Sequence, residues 1–268
     1  MEGIGVFMLL MLAFCTISSC NMQVDGVANY EQPPIMQVNP LQSKLDAVPE
    51  LAGDPITVAV YKFSDMTGQR KPSSKMSQLS SAVSQGTQVW VIKALQDVGN
   101  GTWFKVVERG NLDALVKERQ LIRSTREVYG EKDVTLKPLL FAGLIIEGGI
   151  VGYDSNVASG GLGARFFGLG SSTEYRVDTV TVALRVILVA TGEILLSVAT
   201  EKSIASIKTG QNAFRFLDLG TKALELERGK GINEPVNYAT RAAIEQAVIE
   251  LVYQGANKDL WSFQGKVK

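Results

Sequence analysis

Residues 154–177, DSNVASGGLGARFFGLGSSTEYRV, concentrate glycine and serine yet contain no proline, and their side chains alternate in character. On an extended chain Ala158, Leu162, Ala164 and Phe166 fall on one side, with Ser159 and Arg165 on the other. Beyond Gly168, the positions Leu169, Ser171, Thr173, Tyr175 and Val177 alternate with Gly170, Ser172, Glu174 and Arg176. One apolar and one polar face over about ten residues is the pattern of a strand with lipid outside and water inside. Residues 205–231 read the same way: Ala205, Ile207, Thr209 and Ala213 alternate with Ser206, Lys208 and Asn212. After Phe214-Arg215-Phe216, taken as the hairpin tip, Leu224 and Leu226 alternate with Glu225 and Glu227, with a phase slip between Leu219 and Leu224. Long surface hairpins on a soluble sheet would show the same alternation. The membrane reading has a stricter corollary, because four strands cannot close a barrel and an open edge in lipid leaves backbone groups unsatisfied. It requires a homo-oligomer in which each copy contributes two hairpins to one shared barrel. Arg165, Glu225 and Glu227 then face the lumen, or the last two sit in a solvated mouth.

The rest of the chain predicts an α+β fold, a mixed sheet with flanking helices. Ile56 to Tyr61 alternates as a strand, and a polar stretch from Ser64 to Ser81 follows. Val83, Val89, Ile92, Leu95 and Val98 predict a helix over 82–98, ended by Gly99-Asn100-Gly101. Trp103 to Val107 reads as a second strand, and Asn111 as the N-cap of a helix to about Arg123 with Leu112, Leu115, Val116 and Leu121 on one side. Phe141 to Val151 reads as a buried strand. Val180, Val182, Leu184, Val186 and Leu188 alternate with Thr181, Ala183 and Arg185, and Ala190-Thr191-Gly192-Glu193 turns the chain into Ile194 to Val198. Pro235 near the first helical position, after Asn233 or Glu234, opens a helix to about Tyr253. The expected segments are 55–153 and 178–204 for the domain outside the hairpins, hairpins at 154–177 and 205–231, and a C-terminal helix and tail at 232–268.

Composition narrows the chemistry. The 268 residues include no histidine, so no imidazole base, Ser-His-Asp or Cys-His arrangement and no His-bearing zinc site is available. Lys plus Arg equals Asp plus Glu at 27 each, so no global charge draws the chain to nucleic acid. Both cysteines lie in the opening MEGIGVFMLLMLAFCTISSC. The apolar run from Ile4 to Phe14 is too short to span a bilayer and suits a signal peptide over 1–19, although Met1-Glu2-Gly3 lacks the usual positive charge. Ile17-Ser18-Ser19-Cys20 looks like a bacterial lipobox, with Cys20 the lipidated residue; an ordinary signal peptide is the alternative. Residues 20–54, with Pro33, Pro34, Pro40 and Pro49, read as a tether. No metal, no cofactor and no enzymatic constellation is expected.

Five blocks resemble the curli-secretion channel lipoprotein family, CsgG: VAVYKFSDMTGQRKP (58–72), VERGNLDALVKERQLIR (107–123), GGIVGYDSNVASGGLGARFFGLG (148–170), ATGEILLSV (190–198) and FRFLDLGTKALELERGKGINEP (214–235). The resemblance spans roughly Pro55 to Trp261. The glycine-rich and ERGNL blocks are specific; a TGEIL turn is common to other periplasmic lipoproteins. The resemblance implies an outer-membrane lipoprotein whose periplasmic domains form a nonameric ring, with a barrel of roughly 36 strands. It implies export of unfolded curlin-like subunits without nucleotide hydrolysis, fed by a periplasmic accessory protein and aided by one at the cell surface. The absence of a P-loop pattern agrees with that. In the family a loop after the first strand narrows the pore with a tyrosine, an asparagine and a phenylalanine. Within residues 68–81 those slots fall on Ser73 or Ser74, on Gln78 and on Leu79, so the aromatics are missing and a wider aperture is expected. A plain polar surface loop is the alternative for this segment. For the whole chain the alternative is a non-spanning periplasmic lipoprotein that binds and activates a cell-envelope enzyme.

Overall fold

The computed structural model describes residues 36, 38–69, 83–130, 136–159, 174–209, 213–219, 224–225 and 235–265. Val38–Lys268 forms one compact unit, separate from Met1–Gln37. In chain order its elements are α1 (Gln42–Asp46), β1 (Ile56–Asp65), α2 (Gln88–Asp97), β2 (Phe104–Val107), α3 (Leu112–Val128), β3 (Leu144–Ser159), β4 (Glu174–Leu188), β5 (Ile194–Thr209), β6 (Ala213–Leu219), β7 (Leu224–Glu225) and α4 (Pro235–Asn257). The sheet order is β2-β1-β3-β4-β5-β6-β7. Its first two pairings, β1 with β2 and β1 with β3, are parallel, and the rest are antiparallel. This is the mixed sheet that the alternating and continuous apolar runs predict.

Alternation decides which side of the sheet the helices cover. Val180, Val182, Leu184 and Val186 are buried at every second position of β4, as are Leu196 and Val198 of β5. They share one core with Val91 and Leu95 of α2 and with Ala243, Ile244, Ala247, Val248 and Leu251 of α4. The Thr200 hydroxyl donates to the Ala243 carbonyl at 2.7 Å, tying β5 to α4. Near the C-terminus Trp103 meets Trp261 and Phe263 edge-on, with centroids 5.9 and 5.7 Å away. The Trp103 indole donates to the Pro49 carbonyl at 2.8 Å, so the packed ring has no orphaned N–H.

Three expectations are corrected. The helix expected over 82–98 starts at Gln88, and its buried stripe is Val91, Ala94, Leu95 and Val98. Val89, assigned to the apolar face, is 67% exposed, because a helix that begins after Gly86-Thr87 turns that residue away from the sheet. The helix expected to stop near Arg123 continues to Val128, and none of its residues is buried. Finally, Phe214-Arg215-Phe216 is not a tip. These residues lie in β6, and Thr209 of β5 pairs with Ala213 of β6, so the strand has already returned before Phe214.

Two adjacent glycines let β3 pass between its neighbours. A Cβ at Gly148 would run into the Ala183 carbonyl of β4, and one at Gly149 into the Ser64 carbonyl of β1. The register of β1 against β3 also shifts between Val60 and Phe63, a bulge beside this crossing. Gly148→Ala is expected to lower stability by about 1–3 kcal/mol through overpacking against backbone. Gly86→Ala, where a Cβ meets nothing within 4 Å, is expected to leave it near unchanged; denaturant melts of the two variants compare them directly.

Candidate functional site: strands that outrun the core

β3, β4 and β5 have 16, 15 and 16 residues, about 50 Å each at the strand rise. Only part of that length is covered by helices. Pairing nevertheless runs from Leu144↔Leu188 to Ser159↔Glu174 on one side of β4 and from Ile187↔Ile194 to Tyr175↔Ile207 on the other, with one irregularity in each, between Ile150 and Gly152 and between Val186 and Ile187.

Reading rows across the sheet shows where its character changes. Within the core the helix-side face of β4 is apolar, with Thr200 and Lys202 of β5 the polar residues in register with it, and the opposite face carries Thr181, Arg185, Glu201 and Ser203. Arg185 pairs there with Glu147 at 3.2 Å, and the Thr179 and Ser203 hydroxyls meet at 2.9 Å. One row further, the two faces of β4 exchange. Its helix-side positions become Asp178, beside Ser155 and the buried Ile204, and then Arg176. The opposite face now carries Val177 and Ala205 in register.

A buried charge cluster marks the row of exchange. Asp178 is fully buried. It accepts from the Tyr153 hydroxyl at 3.0 Å and from Arg176 Nε at 2.9 Å, and Arg176 Nη2 lies 2.9 Å from the same carboxylate. The hydroxyl on Oδ1 and the guanidinium on Oδ2 give both oxygens of the buried carboxyl a partner. Burial, and then the adjacent Asp178, raise the Tyr153 hydroxyl above its ordinary pKa, which keeps it a donor. The sequence reading missed this cluster. Its signal was a lone aspartate interrupting an apolar register, with an arginine two residues earlier on the same face.

The loop after β1 is tied at both ends by one residue. Asp65 Oδ1 accepts from the Thr67 N–H at 2.8 Å and from its hydroxyl at 2.7 Å, while Oδ2 accepts from Gln85 at 3.2 Å. Val83, just beyond, is buried in the core. The residues assigned to the constriction, Ser73, Gln78 and Leu79, lie outside the described residues, as do Cys20, Arg165 and Glu227. Glu225 stands opposite Asp218 in β7. No group of three or more metal-ligating side chains occurs among the described residues, and no helix among them is long and apolar enough to cross a membrane.

Comparison with known proteins places this arrangement. The family profile described as curli production assembly/transport component CsgG matches residues 42–268. The curli production assembly/transport components of Citrobacter koseri and of Escherichia coli K12 are each 39% identical to the chain over 264 residues, covering 97% of it and 92% of the relative. Among solved structures, the PelC dodecamer from Paraburkholderia phytofirmans is similar at 12% identity and a TM-score of 0.31, over 76% of this chain and 94% of that one. Protein XCC0632 from Xanthomonas campestris is similar at 9% identity and a TM-score of 0.35, over 80% and 95%. With a family match over nearly the whole described domain and 39% identity to relatives over 97% of its length, the chain belongs to the CsgG family of curli assembly/transport components.

Proposed function

We propose that each copy of this chain is one segment of an oligomeric outer-membrane secretion channel that exports unfolded curli-type fibre subunits through a constricted pore, without nucleotide hydrolysis. The observation that carries this reading is the exchange of polar and apolar faces along β4 between the rows of Thr179 and Val177. A sheet that stayed in water would have no reason to invert. A sheet passing from a ring of domains into lipid must turn its apolar face outward, and here that is the face opposite the helices.

Two further features support an oligomer. Beyond Ile150, where β1 ends, β3 is paired on one side only among the described residues. In lipid that edge, from Asp154 to Ser159, needs the last strand of a neighbouring copy, because each unpaired backbone group costs several kcal/mol there. α3, amphipathic in sequence but buried nowhere, leaves Leu121 and Val128 exposed, and Phe141 beyond it is 90% exposed. Apolar surface of this kind marks a contact site.

The finer assignments follow from the same reading. Cys20 carries lipid, and the copies close into a nonameric ring. Hairpins 154–177 and 205–231 form the barrel wall. Arg165, Glu225 and Glu227 face the lumen, where repetition around the ring multiplies their field. Gln78 and Leu79, with Ser73 behind them, line the constriction, where diameter and lining let an extended polypeptide pass and stop a folded one. Periplasmic and cell-surface accessory proteins deliver and receive the substrate. No bond chemistry is assigned to the channel.

Purified protein in planar bilayers is expected to form large, stable pores, and deletion of 157–177 to abolish them. A monomeric, silent full-length protein, with residues 157–177 open to protease in intact membranes, would overturn the channel in favour of the non-spanning lipoprotein. Replacing Gln78 and Leu79 together by alanine is expected to raise single-channel conductance, whereas Leu79→Phe lowers it. Asp65→Ala, which unties both ends of the loop, is expected to increase open-channel current noise while leaving pore formation intact.

A further inference from the structure

The segment that enters the domain is held in two physically different ways. From Leu45 onward it is held by burial: Leu45, Val48 and Leu51 are in the core, and the Gly99 N–H donates to the Leu45 carbonyl at 2.9 Å. Ahead of Leu45 the contacts are polar. The Leu41 N–H donates to Glu245 Oε2 of α4 at 2.6 Å. The Asn39 amide donates to Asp97 Oδ2 of α2 at 2.6 Å and accepts from Arg241 Nη2 of α4 at 2.9 Å.

Glu245 is the pivot of this contact, at 1% exposure. The charged groups acting on it are Arg241 of its own helix, whose Nε lies 3.9 Å from Oε1, and Asp97 of α2. Asp97 is paired with Lys93 at 2.6 Å, and the Arg241 guanidinium sits 5.8 Å over the Trp90 ring. The strap itself brings the Leu41 N–H and the Asn39 amide. A neutral carboxyl can still accept the Leu41 N–H on its carbonyl oxygen, whereas an ionised one at this depth has lost nearly all its water.

We propose that Asn39–Leu41 is a proton-controlled strap, clamped to α4 while Glu245 is neutral and released when Glu245 ionises and must be rehydrated. Its hinge is α1, since the apolar anchor at Leu45 stays in place. Burial, with a smaller push from Asp97, raises Glu245 from its ordinary 4.5 to about 7, against the Leu41 N–H and Arg241. Lifting the strap removes the Leu41 N–H, which favours the ionised form, but admits water, which favours it more, so the carboxyl moves back toward its ordinary value. The clamped form therefore holds the proton more tightly, so clamping is strongest below pH 4.5 and weakens as pH rises to about 7. Release frees roughly six residues, on the order of 20 Å of extended chain. If Cys20 is the lipid anchor, as proposed above, that is added reach between membrane and ring; the clamp itself does not depend on that reading.

Hydrogen exchange of the full-length, detergent-extracted protein at pH 5 and pH 8, corrected for the intrinsic rate, tests this. Protection over residues 39–45 is expected to fall by about ten- to a hundredfold at pH 8, with residues 47–52 and α4 unchanged. Glu245→Gln, neutral at both values, is expected to keep the protection throughout, and Asn39→Ala to lack it throughout. Equal protection at the two pH values in the unaltered chain would overturn the strap. So would a fall that spreads to residues 47–52 and α4, or a Glu245→Gln variant that follows the unaltered chain. None of these outcomes bears on pore formation, so the strap and the channel stand or fall separately.

Discussion

The long antiparallel pairing of β3, β4 and β5 is the constraint on which the rest of this protein depends. Side chains on a strand alternate with period two, so a register set along a pair dictates facing from one irregularity to the next. Here it is set in the core, where Val180, Val182, Leu184 and Val186 must meet α4 and α2. The same pairing then carries Val177 and Ala205 to the opposite face, beyond the reach of the helices. A slip of one residue in the domain would exchange the faces of the hairpins as well.

The devices that protect this register cluster where it is most exposed to error. Gly148 and Gly149 allow β3 to lie close to β1 and β4 without a Cβ in the way. A further irregularity, between Ile150 and Gly152, falls where β1 ends and the free edge begins. Asp178 then binds Tyr153 of β3 and Arg176 of its own strand at the row where the faces exchange. Taking away Tyr153 or Arg176 would leave a fully buried carboxyl short of hydrogen-bond partners.

The surroundings of the sheet are organised differently at its two approaches. At the chain's entry, the aromatic group of Trp103, Trp261 and Phe263 closes the core permanently. The short stretch ahead of it is held by the polar contacts of Asn39, Asp97, Arg241 and Glu245. Burial by apolar groups is insensitive to pH, and contact through a carboxyl is not. This difference separates the fixed part of the domain from its adjustable tether.

Much of this was legible in the residues themselves. Alternation gave β1, β4 and β5, and Pro235 gave the start of α4, because these depend on neighbours two to four positions apart. The family blocks pointed to curli assembly/transport on their own. Other features required the folded chain. Val89 has the apolar character of a core residue and is exposed, since helix phase is set by where Thr87 and Gln88 enter the sheet's shadow. The pairing of Thr209 with Ala213 depends on which strand β5 finds as its partner. The Asp178 cluster and the Glu245 strap join residues 25 and 204 positions apart, and no local pattern encodes such distances. The sequence by itself determined periodicity, and with it which residues could share a face. Tertiary structure decided which face meets the helices, because that choice belongs to the packing of whole elements against one another.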